Sequence, residues 1–168
     1  LNPSGTYNLY TVNGETDTNS TYLTALTETL VASNITIPSP GVIFAEDNVW
    51  VRSNPTYAGR VNIGAGRLAS ASNNATISIA DDIVYNTKNG STALGLVAEG
   101  DVLISPYAAP ATGNFTFEVN AAILSQSGNV RYPSYYRSNT TRCTRGWVGA
   151  NQIFNFYGSV GTRQSWTW

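Results

Sequence analysis

The chain contains no histidine and no methionine, a single cysteine, and few charges, with Asp, Glu, Lys and Arg making up 11% of its 168 residues. Each shortage excludes something. Without histidine, the usual general base and the commonest metal ligand are missing, so ordinary triad hydrolysis and most zinc sites fall away. Cys143 has no partner for an internal disulfide, so it is either a free thiol or bridged outside these residues. Nine Lys and Arg against ten Asp and Glu give a formal charge of −1, and no overall field steers the protein toward nucleic acid or an anionic membrane. No apolar run reaches the roughly 18 residues of a membrane-spanning helix. The N-terminus shows no basic-then-apolar signal, and a chain opening at Leu1 rather than Met reads as processed or excerpted.

Asn, Ser and Thr supply the polarity that charges do not. Thr favours strands while Asn and Ser favour turns and caps, a balance suited to stacked or paired strands. The length and a hydrophobic fraction of 42% fit one domain with a sizeable core. Residues 1–40 read as a polar, turn-rich arm followed by a capping helix. Tyr22, Leu23, Leu26 and Leu30 recur at helical steps, with Ser20 or Thr21 as cap, and the PSPG run at 38–41 stops the helix after its end near Asn34. Its expected role is to plug the open end of a stack.

Residues 41–168 alternate short apolar segments with corners rich in Gly, Asn, Asp and Pro. Residues 42–51, VIFAEDNVWV, lie over residues 95–104, GLVAEGDVLI, without a gap, and residues 77–85, ISIADDIVY, read as a third copy with a shorter corner. The first four segments start about 17 or 18 residues apart, close to one turn of a parallel β-helix. Ala45, Ala80 and Ala98 are each followed by an acid, as a fixed small residue at a bend would be. The expected fold is therefore all-β, a single-stranded parallel β-helix or β-solenoid-like stack capped by one N-terminal amphipathic helix. An antiparallel β-sandwich also gives short strands with frequent turns and is the alternative.

The corner acids are the candidates for metal or acid–base chemistry. Asp81, Asp82, Glu99 and Asp101, with Glu46 and Asp47, would form a carboxylate ladder if they stacked along one edge, holding structural calcium or, in a groove, hydrolysing polysaccharide. Arg52, Arg60 and Arg67 lie within a turn of them as partners. The plainer reading is that these are solvated turn residues capping backbone N–H groups, leaving the chain with no catalytic residue and no cofactor. Six Asn-x-Ser/Thr triplets, at Asn19, Asn34, Asn74, Asn89, Asn114 and Asn139, are either glycan acceptors on surface loops or the chance product of an Asn/Ser/Thr-rich chain.

Residues 130–168 contain five arginines and no acid. Arg131, Arg137, Arg142 and Arg145 stand among Tyr132, Tyr135, Tyr136 and Trp147, a composition that binds phosphate backbones, stacks bases or stacks sugars. It is also the composition of a C-terminal cap whose aromatics close the core. These eight residues are the candidate ligand-binding set, with DNA or a glycan as ligand.

The order GVIFAEDNVWV, GRVNI, ISIADDIVY, LGLVAEGDVLIS, FEVNAAILSQSGNV and FNFYGSVGTRQSW resembles the large extracellular domains of PilX-like minor pilins and related pilus-assembly proteins of type IV pilus systems. The likeness spans residues 41–166. It implies a non-enzymatic β-solenoid-like domain displayed on a bacterial cell surface. Other pilins or surface proteins are its implied partners, and pilus assembly, adhesion, aggregation or DNA uptake its roles. The hydrophobic N-terminal helix of such pilins has no counterpart here.

Overall fold

The computed structural model describes residues 1–15, 26–68, 74–104, 115–131, 135–137, 141–143 and 152–167. All regular structure among them is strand. The chain opens with an antiparallel hairpin, β1 (Thr6–Glu15) and β2 (Leu26–Thr36). It then runs through β3 (Val42–Ala45), β4 (Val49–Val51), β5 (Arg60–Ala65), β6 (Ile77–Ile79), β7 (Ala93–Ala98), β8 (Val102–Ile104), β9 (Phe115–Ser125) and β10 (Val130–Arg131). A second antiparallel hairpin, β11 (Tyr135–Arg137) and β12 (Thr141–Cys143), precedes β13 (Gln152–Thr162) and β14 (Trp166–Thr167).

Outside the hairpins the chain delivers strands alternately to two parallel sheets. One has the order β13-β9-β7-β5-β3 and the other β14-β10-β8-β6-β4. The antiparallel sandwich is thereby overturned, since all pairings within both five-stranded sheets are parallel.

Parallel register places like side chains above one another. Ile43, Ile63, Leu96, Ile123 and Val160 form one column of the first sheet, and Val49, Ile77, Val102 and Val130 one column of the second. In β5 and β7 the alternate residues are buried, the period-2 pattern of a sheet with one face inward. The inward residues of both sheets join in a single apolar cluster in which Ile77, Leu96 and Phe117 are fully enclosed. Each such aliphatic or aromatic side chain contributes about 1.5–3 kcal/mol by leaving water.

The gapless overlay of residues 42–51 on 95–104 is realised in space. Val42 pairs with Asn62 and Asn62 with Gly95, while Val49 pairs with Ile77 and Ile77 with Val102. The two copies thus occupy equivalent places, each contributing one strand to each sheet. The third copy is corrected by the same register. Ile77 belongs to the second sheet, so ISIA stands where VWV and VLI stand, and the small-residue column is Ala45, Ala65, Ala98 and Ser125 without Ala80. The spacing of 17 or 18 residues fails for the same reason: the segments starting at 60 and 77 lie in different sheets, and equivalent positions Val42, Asn62, Gly95 and Ala122 step unevenly along the chain.

The expected N-terminal helix is corrected for its second half: residues 26–36 are strand, while residues 20–25 lie outside the described residues. Thr27, Thr29, Val31, Ile35 and Thr36 are β-branched and stiff at χ1, a composition that pairs well in a strand and costs rotamer freedom in a helix. β1 supplies the partner, and Asn34 at φ 54° breaks helical geometry. The hairpin is tied to β4 and the loop after it, where Arg52 pairs with Glu28 at 2.6 Å and lies 5.8 Å from the Tyr10 ring centroid.

Candidate functional site

Five of the six acids at the bends, Asp47, Asp81, Asp82, Glu99 and Asp101, are occupied locally. Glu99 accepts the backbone N–H of Arg67 at 2.9 Å, and Asp47 accepts the Arg67 guanidinium at 2.8 Å. Asp101 takes the N–H of Asn129 at 2.6 Å through Oδ1 and the Arg131 guanidinium at 3.0 Å through Oδ2. Asp81 caps the N–H of Asp82, and Asp82 in turn caps the N–H of Glu118, each at 2.8 Å. Continuing the register past Ala45, Ala65, Ala98 and Ser125, the next column reads Glu46, Gly66, Glu99 and Gln126. Gly66 separates its two carboxylates and Gln126 follows them, and Asp81 and Asp82 lie at another bend, so the single ladder along one edge does not form. Like charges directly opposite on neighbouring strands are unfavourable, and this column avoids them. Among the described residues no three acids, or acids with cysteine, converge as a metal cluster.

Sequence reasoning did not find the most chemically dense cluster, which surrounds Glu118 on β9. Lys88, in the loop between β6 and β7, places Nζ 2.9 Å from Glu118 Oε1. Asn120, two residues along β9, donates Nδ2 to the same oxygen at 2.7 Å. Asn120 is fully buried, and its Oδ1 has no hydrogen-bond partner among the described residues. Lys88 Nζ also sits 5.2 Å from the ring centroid of Tyr157 on β13. A file of tyrosines flanks the group: Tyr57 meets Tyr85 at 6.1 Å and Tyr85 meets Tyr157 at 6.4 Å, both edge-on. Tyr57 donates to the Ala93 carbonyl, and burial with Tyr85 alongside pushes its hydroxyl well above the ordinary range. Tyr85 accepts the N–H of Leu94 at 2.7 Å.

The Glu118 carboxyl at the centre of this cluster and the neighbouring Asp82 carboxyl shift in opposite directions. Burial raises Asp82, against the N–H it accepts from Glu118. For Glu118 burial also pushes upward, but Lys88 and Asn120 outweigh it and hold the group below its ordinary value. The signal that marks this site is spatial; in sequence Lys88 stands out only as the chain's single lysine, in a polar turn.

A concavity is lined by residues of the β1–β2 hairpin and of β3 and β4. It encloses about 670 Å³ between Tyr10, Glu28 and Arg52 on one side and Ile43, Val49 and Val51 on the other. The apolar residues are the end strands' share of the core columns, half-buried at Ile43 and Val49 and buried at Val51, so its floor is explained by the stack, and its polar wall by the ion pair that pins the hairpin.

Of the ligand-binding set, Arg131 is engaged with Asp101. Tyr135, Tyr136 and Arg137 form β11 and Arg142 lies on β12, with Tyr136 opposite Arg142 in register. Tyr132, Arg145 and Trp147 lie outside the described residues. Cys143 pairs in register with Tyr135 at the end of the same hairpin. Asn34, Asn74 and Asn89 of the Asn-x-Ser/Thr triplets are at exposed positions, and Asn19, Asn114 and Asn139 lie outside the described residues. No helix among the described residues is long and apolar enough to cross a membrane.

No known family model, no curated protein and no solved structure matches this chain.

Proposed function

We propose that the chain is a non-enzymatic display module of the minor-pilin type, a parallel β-solenoid held outside a bacterial cell, with other pilins or surface proteins as partners. The observation that carries this reading is the fate of the corner acids. Asp47, Asp82, Glu99 and Asp101 are spent on backbone N–H groups and arginines of neighbouring strands, the way a stack fixes its own bends. Hydrolysis of a glycosidic bond needs two carboxyls about 5–10 Å apart with room for sugar between them. Carboxyls tied to the backbone serve rigidity better than proton transfer. A stiff body with little charge suits passive exposure at a surface.

The test is location and company. Antibody raised against the domain should label intact cells of the source organism, and the protein should co-purify with sheared surface filaments. Strict retention inside the cell, or absence from filaments that do form, defeats the assignment.

A second reading, binding of DNA or a glycan, is favoured by the register that sets Tyr136 opposite Arg142 on the β11–β12 hairpin, next to Arg137. Replacing Arg137, Arg142 and Arg145 together should weaken DNA binding and flatten its salt dependence. Absence of salt-sensitive binding by the wild type at low ionic strength removes the DNA reading.

A further inference from the structure

The Lys88–Glu118–Asn120 cluster has an arrangement that ion pairing does not explain. A buried carboxamide with an orphaned oxygen calls for a reason. Asn120 sits on a strand whose neighbours Val119 and Ala121 are fully buried, and its side-chain carboxamide bonds no backbone group among the described residues. Its Nδ2 and the Lys88 amine meet at one carboxylate oxygen, Glu118 Oε1.

We propose that Lys88 and Asn120 are joined by an intramolecular isopeptide bond, with Glu118 relaying the protons. Lysine amines become nucleophiles when a neighbouring base removes their proton. Nζ gives a proton to Glu118 Oε1, and its freed lone pair attacks Asn120 Cγ, making the C–N bond while the carbonyl π pair moves to Oδ1. Glu118 returns that proton to Nδ2 and takes a second from Nζ. Collapse of the intermediate re-forms the carbonyl and breaks the Cγ–Nδ2 bond, and ammonia leaves with the proton Glu118 holds. The sum is Lys–NH₃⁺ plus Asn amide giving a secondary amide plus ammonium, with no oxidant or reductant.

Three features support the sequence of steps. Nδ2, the atom that leaves, is the one aimed at the proton donor. The Tyr157 ring lies 5.2 Å from Nζ and gives the ammonium a second contact beside Glu118. The Lys88 side chain is 47% exposed, which gives departing ammonia a route to water. The product ties the β6–β7 loop to β9 and restricts the unfolded chain, as any long-range cross-link does.

The reacting pair carries one shared proton, so the rate should be level across roughly pH 6–8 and fall where Glu118 itself protonates. Asp82, Tyr85 and Tyr157 are the other titratable groups around it among the described residues. The experiment is intact-mass measurement of the purified full chain after incubation at several pH values, followed by peptide mapping. The expected result is loss of one ammonia, about 17 Da, carried by a peptide in which Lys88 is joined to Asn120. K88A, E118A and N120A should each keep the full mass, and K88A, altered only at a half-exposed side chain, should stay folded. A wild type that keeps its full mass overturns the proposal. So does a loss that persists in K88A, or one that rises steeply with pH and maps to a succinimide at Asn89–Gly90. The outcome is independent of where the protein is displayed.

Discussion

The guanidinium of Arg131 lies 3.0 Å from Asp101, and the other oxygen of that carboxylate accepts the N–H of Asn129. One side chain therefore closes the bend between β9 and β10 and neutralises a cation from the acid-free C-terminal segment. Asp101→Ala should cost about 1–3 kcal/mol, because it orphans a backbone donor as well as the arginine. Asp101→Asn keeps an acceptor and should cost less. Urea midpoints of the two variants check this; equal losses would show that the charge, and not the backbone bond, matters.

Glycines differ in what their surroundings permit. A Cβ at Gly158 would lie 1.8 Å from the Ala121 carbonyl oxygen, and one at Gly41 would lie 1.9 Å from that of Arg60, contacts that only backbone displacement relieves. Gly158→Ala and Gly41→Ala should each destabilise by roughly 3 kcal/mol or more. Gly90, at φ 91°, has nothing within 4 Å, so Gly90→Ala meets conformational strain alone and should cost about 1–2 kcal/mol. Thermal denaturation of the three variants ranks them; a Gly90 variant as damaged as the other two contradicts the packing argument.

Leu96 stands at the middle of its column, fully buried between Ile63 and Ile123. Leu96→Ala should cost about 2–5 kcal/mol. Leu124, 43% exposed on the other face of β9, should change stability by only about 0.5 kcal/mol on the same replacement. A chemical denaturation comparison that failed to separate them would mean that the two faces of β9 are not as assigned.

Asp82 and Glu118 push the pH dependence in opposite directions. Asp82 is raised in the folded state, so the native protein binds its proton more tightly, and that contribution is lost as pH rises through the raised value. Glu118 is lowered, so its contribution is present above the ordinary glutamate range and lost as pH falls through the depressed value. Asp82→Asn removes the first effect while keeping an acceptor for the Glu118 N–H. Its stability relative to wild type should grow as pH climbs from about 3 to 6. Parallel stability profiles for the two proteins across that range would count against a half-buried, unfavourably ionised Asp82.

The overlay of residues 42–51 on 95–104 was legible because alternate apolar residues face the core and a small residue must stand at the tight bend, and both demands are written locally. The misplacement of ISIADDIVY has an equally physical origin. A short alternating run fits either sheet, and only pairing with Val49 and Val102 assigns Ile77 to the second. The helical stripe read at Leu26 and Leu30 failed because a strand partner, β1, was not visible as one in a polar, turn-rich arm. Lys88, Glu118 and Asn120 carry no motif, and the meeting of a loop with a distant strand is what makes them a site.

The sequence alone determined a mainly-β chain with a repeated two-strand unit, few charges and no histidine chemistry, since composition, period and turn residues are local quantities; it did not determine that residues 26–36 are strand and not helix. Tertiary structure decided which strand joins which sheet, whether the acids form a ladder or caps, and that Lys88 and Asn120 share one carboxylate oxygen. Those depend on parallel register between strands far apart in the chain, and register follows from packing the core columns as a whole.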